Sequence, residues 1–106
     1  MKNYRTTKIS AATAREMMLS NPNAIILDVR SRQEFATGKI AGATLLPVSE
    51  ISERAGSVLP NKNALILVYC RSGVRSAEAA YNLISMGYTN ICDFGGILDW
   101  PYDVVR

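Results

Sequence analysis

Residues 64–76 read ALILVYCRSGVRS, and this stretch decides the fold. The first six residues form a nearly continuous apolar run, which is typical of a strand buried on both faces of a sheet. Cys70 ends that run, and the apolar spacing that follows predicts a helix over residues 76–86. Residues 70–75 are therefore predicted to form a tight strand-to-helix loop, the place where open parallel sheets bind ligands.

Strand and helix signals alternate on both sides of this loop. Strands are predicted at residues 8–9, 24–29, 43–46, 64–69 and 91–94. Helices are predicted at residues 11–19, 31–38, 48–59 and 76–86, the second of them opened by a capping box of Ser31 and Glu34. This alternation predicts an α/β fold with a mainly parallel sheet and helices on both faces. Since the composition is even, we expect residues 1–106 to form a single domain.

The loop has the composition of a site that stabilises an anion. Gly73 permits backbone conformations that turn amide N–H groups inward. Those groups, the N-terminus of the following helix and the charges of Arg71 and Arg75 would favour the thiolate of Cys70. They would equally hold the terminal sulfur of a persulfide and attract a small dianion. On the residues alone, the alternative is a buried structural cysteine in an ordinary connection.

The overall composition excludes several other classes of function. No His is present, so nucleophiles activated by imidazole are ruled out, and two Cys without His make a structural zinc site improbable. A net charge of +3 with dispersed basic residues does not indicate nucleic acid binding. No apolar run is long enough to span a membrane, and the N-terminal MKNYRTTKIS has no secretion-signal core. We therefore expect a cytoplasmic protein, because free thiols are kept reduced there.

Several segments, in order along nearly the whole chain, resemble a rhodanese-homology domain. They are residues 26–30 (ILDVR), 34–35 (EF), 38–43 (GKIAGA), 68–76 (VYCRSGVRS) and 95–100 (GGILDW). The resemblance implies the rhodanese fold, a five-stranded parallel sheet with helices on both sides. One departure is that Lys39 stands where the family commonly has His, which could alter a surface for partner docking.

The resemblance also implies thiosulfate sulfurtransferase chemistry without a cofactor or metal. Sulfane sulfur would pass from thiosulfate to Cys70, the catalytic residue, and then to a thiophilic acceptor such as cyanide or a thiol. The substrate-binding residues would be those of the loop: Arg71, Ser72, Gly73, Val74 and Arg75. Related phosphatases and arsenate reductases have a Cys-x5-Arg loop that is one residue longer, whereas here Arg75 is the fifth residue after the cysteine.

Two further functions stay open at this point. The chain could be a persulfide carrier that relays sulfur between partner proteins, or a non-catalytic rhodanese-like interaction module. The presence of Cys70 in an intact loop counts against the module.

Four residues outside the loop have mainly structural interpretations. Asp28 and Arg30 end a central strand, and we expect them to hold the loop by hydrogen bonds and an ion pair, with Arg30–Glu34 as one candidate. Cys92 is interpreted as a buried apolar residue rather than a resolving thiol. Trp100 is expected to pack against the core near the site.

Overall fold

Helices and strands alternate along the part of the chain that the structure, a computed structural model, describes, residues 6–106. Residues 1–5, half of the stretch in which no secretion signal was recognised, lie outside the described residues. The helices are α1 (Ala11–Ser20), α2 (Arg32–Thr37), α3 (Ile51–Val58) and α4 (Val74–Ser85). The strands are β1 (Thr7–Lys8), β2 (Ile25–Asp28), β3 (Lys39–Ile40), β4 (Thr44–Leu45), β5 (Ile66–Cys70), β6 (Ile91–Gly96) and β7 (Val104–Val105).

Five of the strands form one parallel sheet in the order β1-β6-β5-β2-β4. The two most apolar runs of the sequence, β2 and β5, are neighbours near its middle, as burial on both faces requires. One face packs against α3 and α4, and the other packs against α1. The predicted α/β architecture, a parallel sheet with helices on both faces, is confirmed.

The structure corrects two predicted helices. The helix expected over residues 48–59 is divided into a 3-10 turn at Val48–Glu50 and α3. Helix α4 begins at Val74, two residues before the predicted start. The reason is Gly73, whose φ of 109° places it in the left-handed region as the N-cap residue, so the next residue already has helical geometry.

A short antiparallel pair, β3 with β7, was not predicted. It joins Lys39 to Val105 and Ile40 to Val104, and each strand is only two residues long. The pair brings the C-terminal end of the chain beside the segment that contains Lys39.

No helix in the described part of the chain combines the length and the apolar character needed to cross a membrane.

Candidate active site

Cys70 is the last residue of β5, and its side chain is almost completely buried, with 1% of the residue exposed. The amide N–H of Gly73 donates a hydrogen bond to its Sγ at 2.9 Å. The loop between strand and helix therefore consists of Arg71, Ser72 and Gly73, which turn back over the sulfur. Val74 and Arg75, predicted as loop residues, lie instead in the first turn of α4.

Gly96 forms the surface on which this loop rests. It is in register with Cys70 across the β5–β6 pair. A Cβ atom at Gly96 would lie 2.2 Å from the carbonyl oxygen of Arg71 and 2.6 Å from the Cα of Ser72. The same Arg71 oxygen accepts a hydrogen bond from the N–H of Leu98 at 3.2 Å. The loop is thus held against β6 and the turn that follows it, with no room for a side chain at Gly96.

Arg75 forms a bidentate ion pair with Glu34 of α2. Its Nη1 and Nη2 donate to Oε1 and Oε2 at 2.6 and 2.9 Å. Hydrogen bonding from Arg75 is the main reason that the pKa of Glu34 falls to about 2, and Ser31 acts in the same direction. The capping box predicted from Ser31 and Glu34 is confirmed, and it fixes the carboxylate that receives the arginine.

The predicted pairing of Arg30 with Glu34 is wrong. Arg30 instead pairs with Asp28, with its Nη2 donating to Oδ2 at 2.6 Å and its Nε donating to both oxygens at 3.0 and 3.1 Å. Asp28 is fully buried and Arg30 is 4% exposed. The two residues are separated by one position at the end of β2, so their side chains contact each other locally. Glu34 is therefore free to pair with Arg75.

The Asp28–Arg30 pair also connects the sheet to β3. Arg30 Nη2 donates to the carbonyl oxygen of Gly38 at 2.7 Å, and the N–H of Ile40 donates to the hydroxyl of Tyr69 at 3.1 Å. Burial raises the pKa of Tyr69 well above its ordinary value, and the charge of Asp28 adds to this. The Tyr69 hydroxyl therefore stays protonated. Its hydrogen bond with Ile40 connects Tyr69, the residue before Cys70, to the strand that contains Lys39.

The remaining loop side chains face solvent. Arg71, Ser72 and Val74 are exposed, and Arg71 has no ion pair within residues 6–106. A pocket of about 490 Å³ borders the outer side of the loop and is lined by Lys8, Ile9, residues 72–74 and residues 93–95. Cys70 is not among the residues that line it. Within the described residues no group of three or more His, Cys, Asp or Glu side chains could hold a metal ion.

Comparison with known proteins identifies the family. Residues 10–101 match the family of rhodanese-like domains. The chain belongs to the rhodanese family. A solved rhodanese-related protein from Thermoplasma volcanium superposes on this rhodanese with a TM-score of 0.80 at 32% identity, covering 93% of this chain and 97% of the other. The fold implied by the resemblance is therefore confirmed.

Two curated relatives differ in their described roles. Thiosulfate sulfurtransferase PspE of Escherichia coli is 36% identical over 73 residues, which are 69% of this rhodanese and 70% of PspE. Putative sulfur carrier protein YrkF of Bacillus subtilis is 31% identical over 94 residues, 88% of this rhodanese but only 50% of YrkF. The family is shared by proteins named for catalysis and for sulfur carriage.

Cys92 and Trp100 lie on the other side of the sheet from Cys70. Both pack in the cluster that covers the α1 face, whereas Cys70 belongs to the cluster beneath α3 and α4. Both cysteines are free, and burial raises the pKa of Cys92. This placement favours a structural role for Cys92. Trp100 packs against Phe94 at 5.3 Å between ring centroids, so its predicted packing in the core is confirmed. The predicted position beside the site is not, because Trp100 packs on the α1 face, opposite Cys70.

Sequence reasoning missed two residues that shape this site. Glu34 was recognised for its cap but not as the partner of Arg75, which is 41 residues away. Gly96 was recognised only within a family motif. A pair of glycines following a buried strand is a signal for close backbone approach. That signal could have drawn attention to Gly96, whereas nothing local points from Glu34 to Arg75.

Proposed function

We propose that this rhodanese is a thiosulfate sulfurtransferase that carries sulfur as a persulfide on Cys70. The observation that carries the proposal is the hydrogen bond from the Gly73 N–H to Cys70 Sγ at 2.9 Å. It places the sulfur inside a loop at the N-terminus of a twelve-residue helix, where amide donors and the helix dipole favour an anion. A thiolate stabilised in this way needs no imidazole base. The relationship to PspE supports thiosulfate as the donor.

The reaction consists of two displacements at sulfur. The Cys70 thiolate attacks the sulfane sulfur of thiosulfate, the S–S bond of thiosulfate breaks, and sulfite leaves with its electron pair. An acceptor nucleophile, cyanide or a thiolate, then attacks the outer sulfur of the persulfide. The persulfide bond breaks with its electrons returning to Cys70, which regenerates the thiolate. Neither step requires an external oxidant or reductant.

The loop residues have distinct roles in this scheme. The Gly73 amide stabilises the charge on sulfur in both the thiolate and the persulfide. Arg71 and Ser72 directly follow Cys70 in the chain and are exposed, so the guanidinium and the hydroxyl attract and orient the thiosulfate dianion. Val74, the first residue of α4, is exposed and adds an apolar side chain next to the loop. Arg75, also predicted to bind substrate, attracts the dianion less than Arg71 does because its guanidinium is paired with Glu34.

The mass of the intact protein after incubation with thiosulfate tests the proposal. Wild type should gain about 32 Da, one sulfur atom, and the gain should be lost on treatment with a reductant. We expect Cys70→Ala to show no gain, and the matched variant Cys92→Ala to behave like wild type because that thiol is buried on the opposite face. A gain retained by Cys70→Ala would refute the assignment of the persulfide to Cys70.

A persulfide carrier is the second candidate. The relationship to the putative sulfur carrier YrkF favours it, because the same loop would hold a persulfide received from a protein donor. On this alternative, free thiosulfate gives no mass gain, whereas a protein persulfide donor loads Cys70. The interaction module has less support, since it has no need of a cysteine in the loop.

Two broader expectations accompany the proposal. Residues 1–106 are taken as a single domain, which limited proteolysis can test by whether one resistant fragment is produced. The two free cysteines support a reducing compartment, so the cytoplasm remains the predicted location. Cell fractionation tests that prediction.

A further inference from the structure

Hydrogen bonds within the protein fix the position of the Glu34 carboxylate. It accepts hydrogen bonds from Arg75 Nη1 and Nη2 at 2.6 and 2.9 Å and from the Ser31 N–H at 2.9 Å. Three donors on one carboxylate, two of them from a planar guanidinium, define its position closely. Arg75 is therefore oriented by α2, an element outside the loop.

The pair also determines the charge near the sulfur. Arg75 lies in the first turn of α4, the helix that directly follows Gly73, whose N–H donates to Cys70 Sγ at 2.9 Å. The pKa of Arg75 is raised, mainly by its hydrogen bonds to Glu34. Glu34 keeps its negative charge in neutral solution because its pKa is about 2. The side chains of Arg75 and Glu34 are 35% and 27% exposed, so an anion that approaches the loop meets both charges.

Building on the proposed function, we infer that Glu34 limits the affinity of the site for small oxyanions by cancelling the charge of Arg75. Arg71 and the loop amides then attract the donor. An uncancelled Arg75 would bind thiosulfate, sulfite and sulfate alike more tightly. Uniform binding of this kind lowers KM without accelerating the chemical step, and it slows release of the sulfite product.

Steady-state kinetics with thiosulfate as donor and cyanide as acceptor tests this inference. Removing one charge within about a Debye length of a dianion changes its dissociation constant by about threefold to tenfold. Glu34→Gln should therefore lower the KM for thiosulfate by that factor without raising kcat. Its amide oxygen can still accept from Arg75 or Ser31. A KM that is unchanged or higher would overturn the inference.

Two control variants separate charge from structure. Glu34→Asp keeps the charge on a shorter side chain, so its KM should stay within about twofold of wild type. Glu16→Gln makes the same change in net charge on an exposed residue of α1, the helix on the opposite face from Cys70, and should leave the KM unchanged. An equal fall in KM for Glu16→Gln would assign the effect to total charge and overturn the inference.

Protection by sulfate provides a readout that needs no turnover. Iodoacetamide alkylation of Cys70, mapped by mass spectrometry, should be half-blocked at about threefold to tenfold less sulfate in Glu34→Gln than in wild type. If wild type fails to turn over thiosulfate, the proposed function is wrong, and this protection alone decides the inference. Should Glu34→Gln not fold, the double variant E34Q/R75Q removes both charges. Its half-blocking concentration should stay within about threefold of wild type, and a larger rise would refute cancellation.

Discussion

Replacing Gly96 with Ala should inactivate this rhodanese although no residue of the loop itself is changed. Gly96 has a φ of −123°, so its backbone is one that Ala adopts without strain, and the effect is purely steric. The added Cβ would lie 2.2 Å from the Arg71 carbonyl oxygen and 2.6 Å from both the Arg71 carbonyl carbon and the Ser72 Cα. All three are backbone atoms, which cannot rotate away as a side chain would.

The size of the effect follows from these distances. Ordinary contacts of a Cβ are 3.4 Å or longer, so the loop must move by about 1 Å. Such a shift breaks or lengthens the bond from the Gly73 N–H to Cys70 Sγ. Misplacement of catalytic groups by 1 Å costs about a hundredfold in rate. Overpacking of this kind also costs about 1–3 kcal/mol of unfolding free energy.

The assay is the rate of persulfide formation on Cys70 under single-turnover conditions, followed by intact mass, together with urea unfolding. Gly56→Ala is the matched control: Gly56 lies within α3, and its added Cβ meets nothing within 4 Å. It should keep the wild-type rate and gain about 0.5–1 kcal/mol from helix propensity. A folded Gly96→Ala protein that forms persulfide within about threefold of the wild-type rate would refute the argument that loop position controls reactivity.

Two predictions concern stability. Arg30→Met leaves the fully buried carboxylate of Asp28 without its cation, so we expect urea unfolding at pH 7 to show a loss of about 3–5 kcal/mol; a loss below about 1 kcal/mol would contradict it. The Glu34–Arg75 pair should contribute about 1 kcal/mol at neutral pH because it is partly exposed. The pKa of Glu34 is about 2 in the folded state against 4.5 as a reference, so this contribution is complete above pH 4.5 and is lost as the pH falls towards 2. The difference in unfolding free energy between wild type and Glu34→Gln should therefore shrink between pH 5 and pH 3, and a constant difference would be inconsistent with the pair.

The parts of the fold that were predictable are those that local sequence determines. The apolar runs of β2 and β5 are long enough to be recognised as strands buried on both faces, and the capping box at Ser31 depends on residues three positions apart. The β3–β7 pair escaped prediction because two-residue strands have no periodicity and their pairing joins Lys39 to Val105.

The start of α4 shows how a local signal can mislead. The apolar spacing predicted a helix that starts at Ser76, but Ser76 is buried inside the helix, where its hydroxyl donates to the carbonyl oxygens of Gly73 and Gly95 at 3.0 and 3.3 Å. The left-handed backbone of Gly73 begins the helix earlier, and glycine alone does not reveal which conformation it adopts. The role of Cys70 as the reactive residue stays a prediction, while the length of the loop around it was overestimated.

The burial of Cys70 has a consequence for how donor and acceptor would be distinguished on the proposed mechanism. The thiol itself is 1% exposed, so a donor must reach Sγ with a narrow end, as the sulfane sulfur of thiosulfate does. The loop amides and Arg71 favour a donor that carries negative charge behind that end. Once sulfur has been transferred, an S–S bond of about 2 Å moves the reactive atom outward. The acceptor then meets the terminal sulfur at the exposed rim formed by Arg71, Ser72 and Val74 rather than at the buried thiol. The same loop can thus restrict which donors reach the thiol and still let many acceptors reach the terminal sulfur of the persulfide, including cyanide, small thiols and protein thiols.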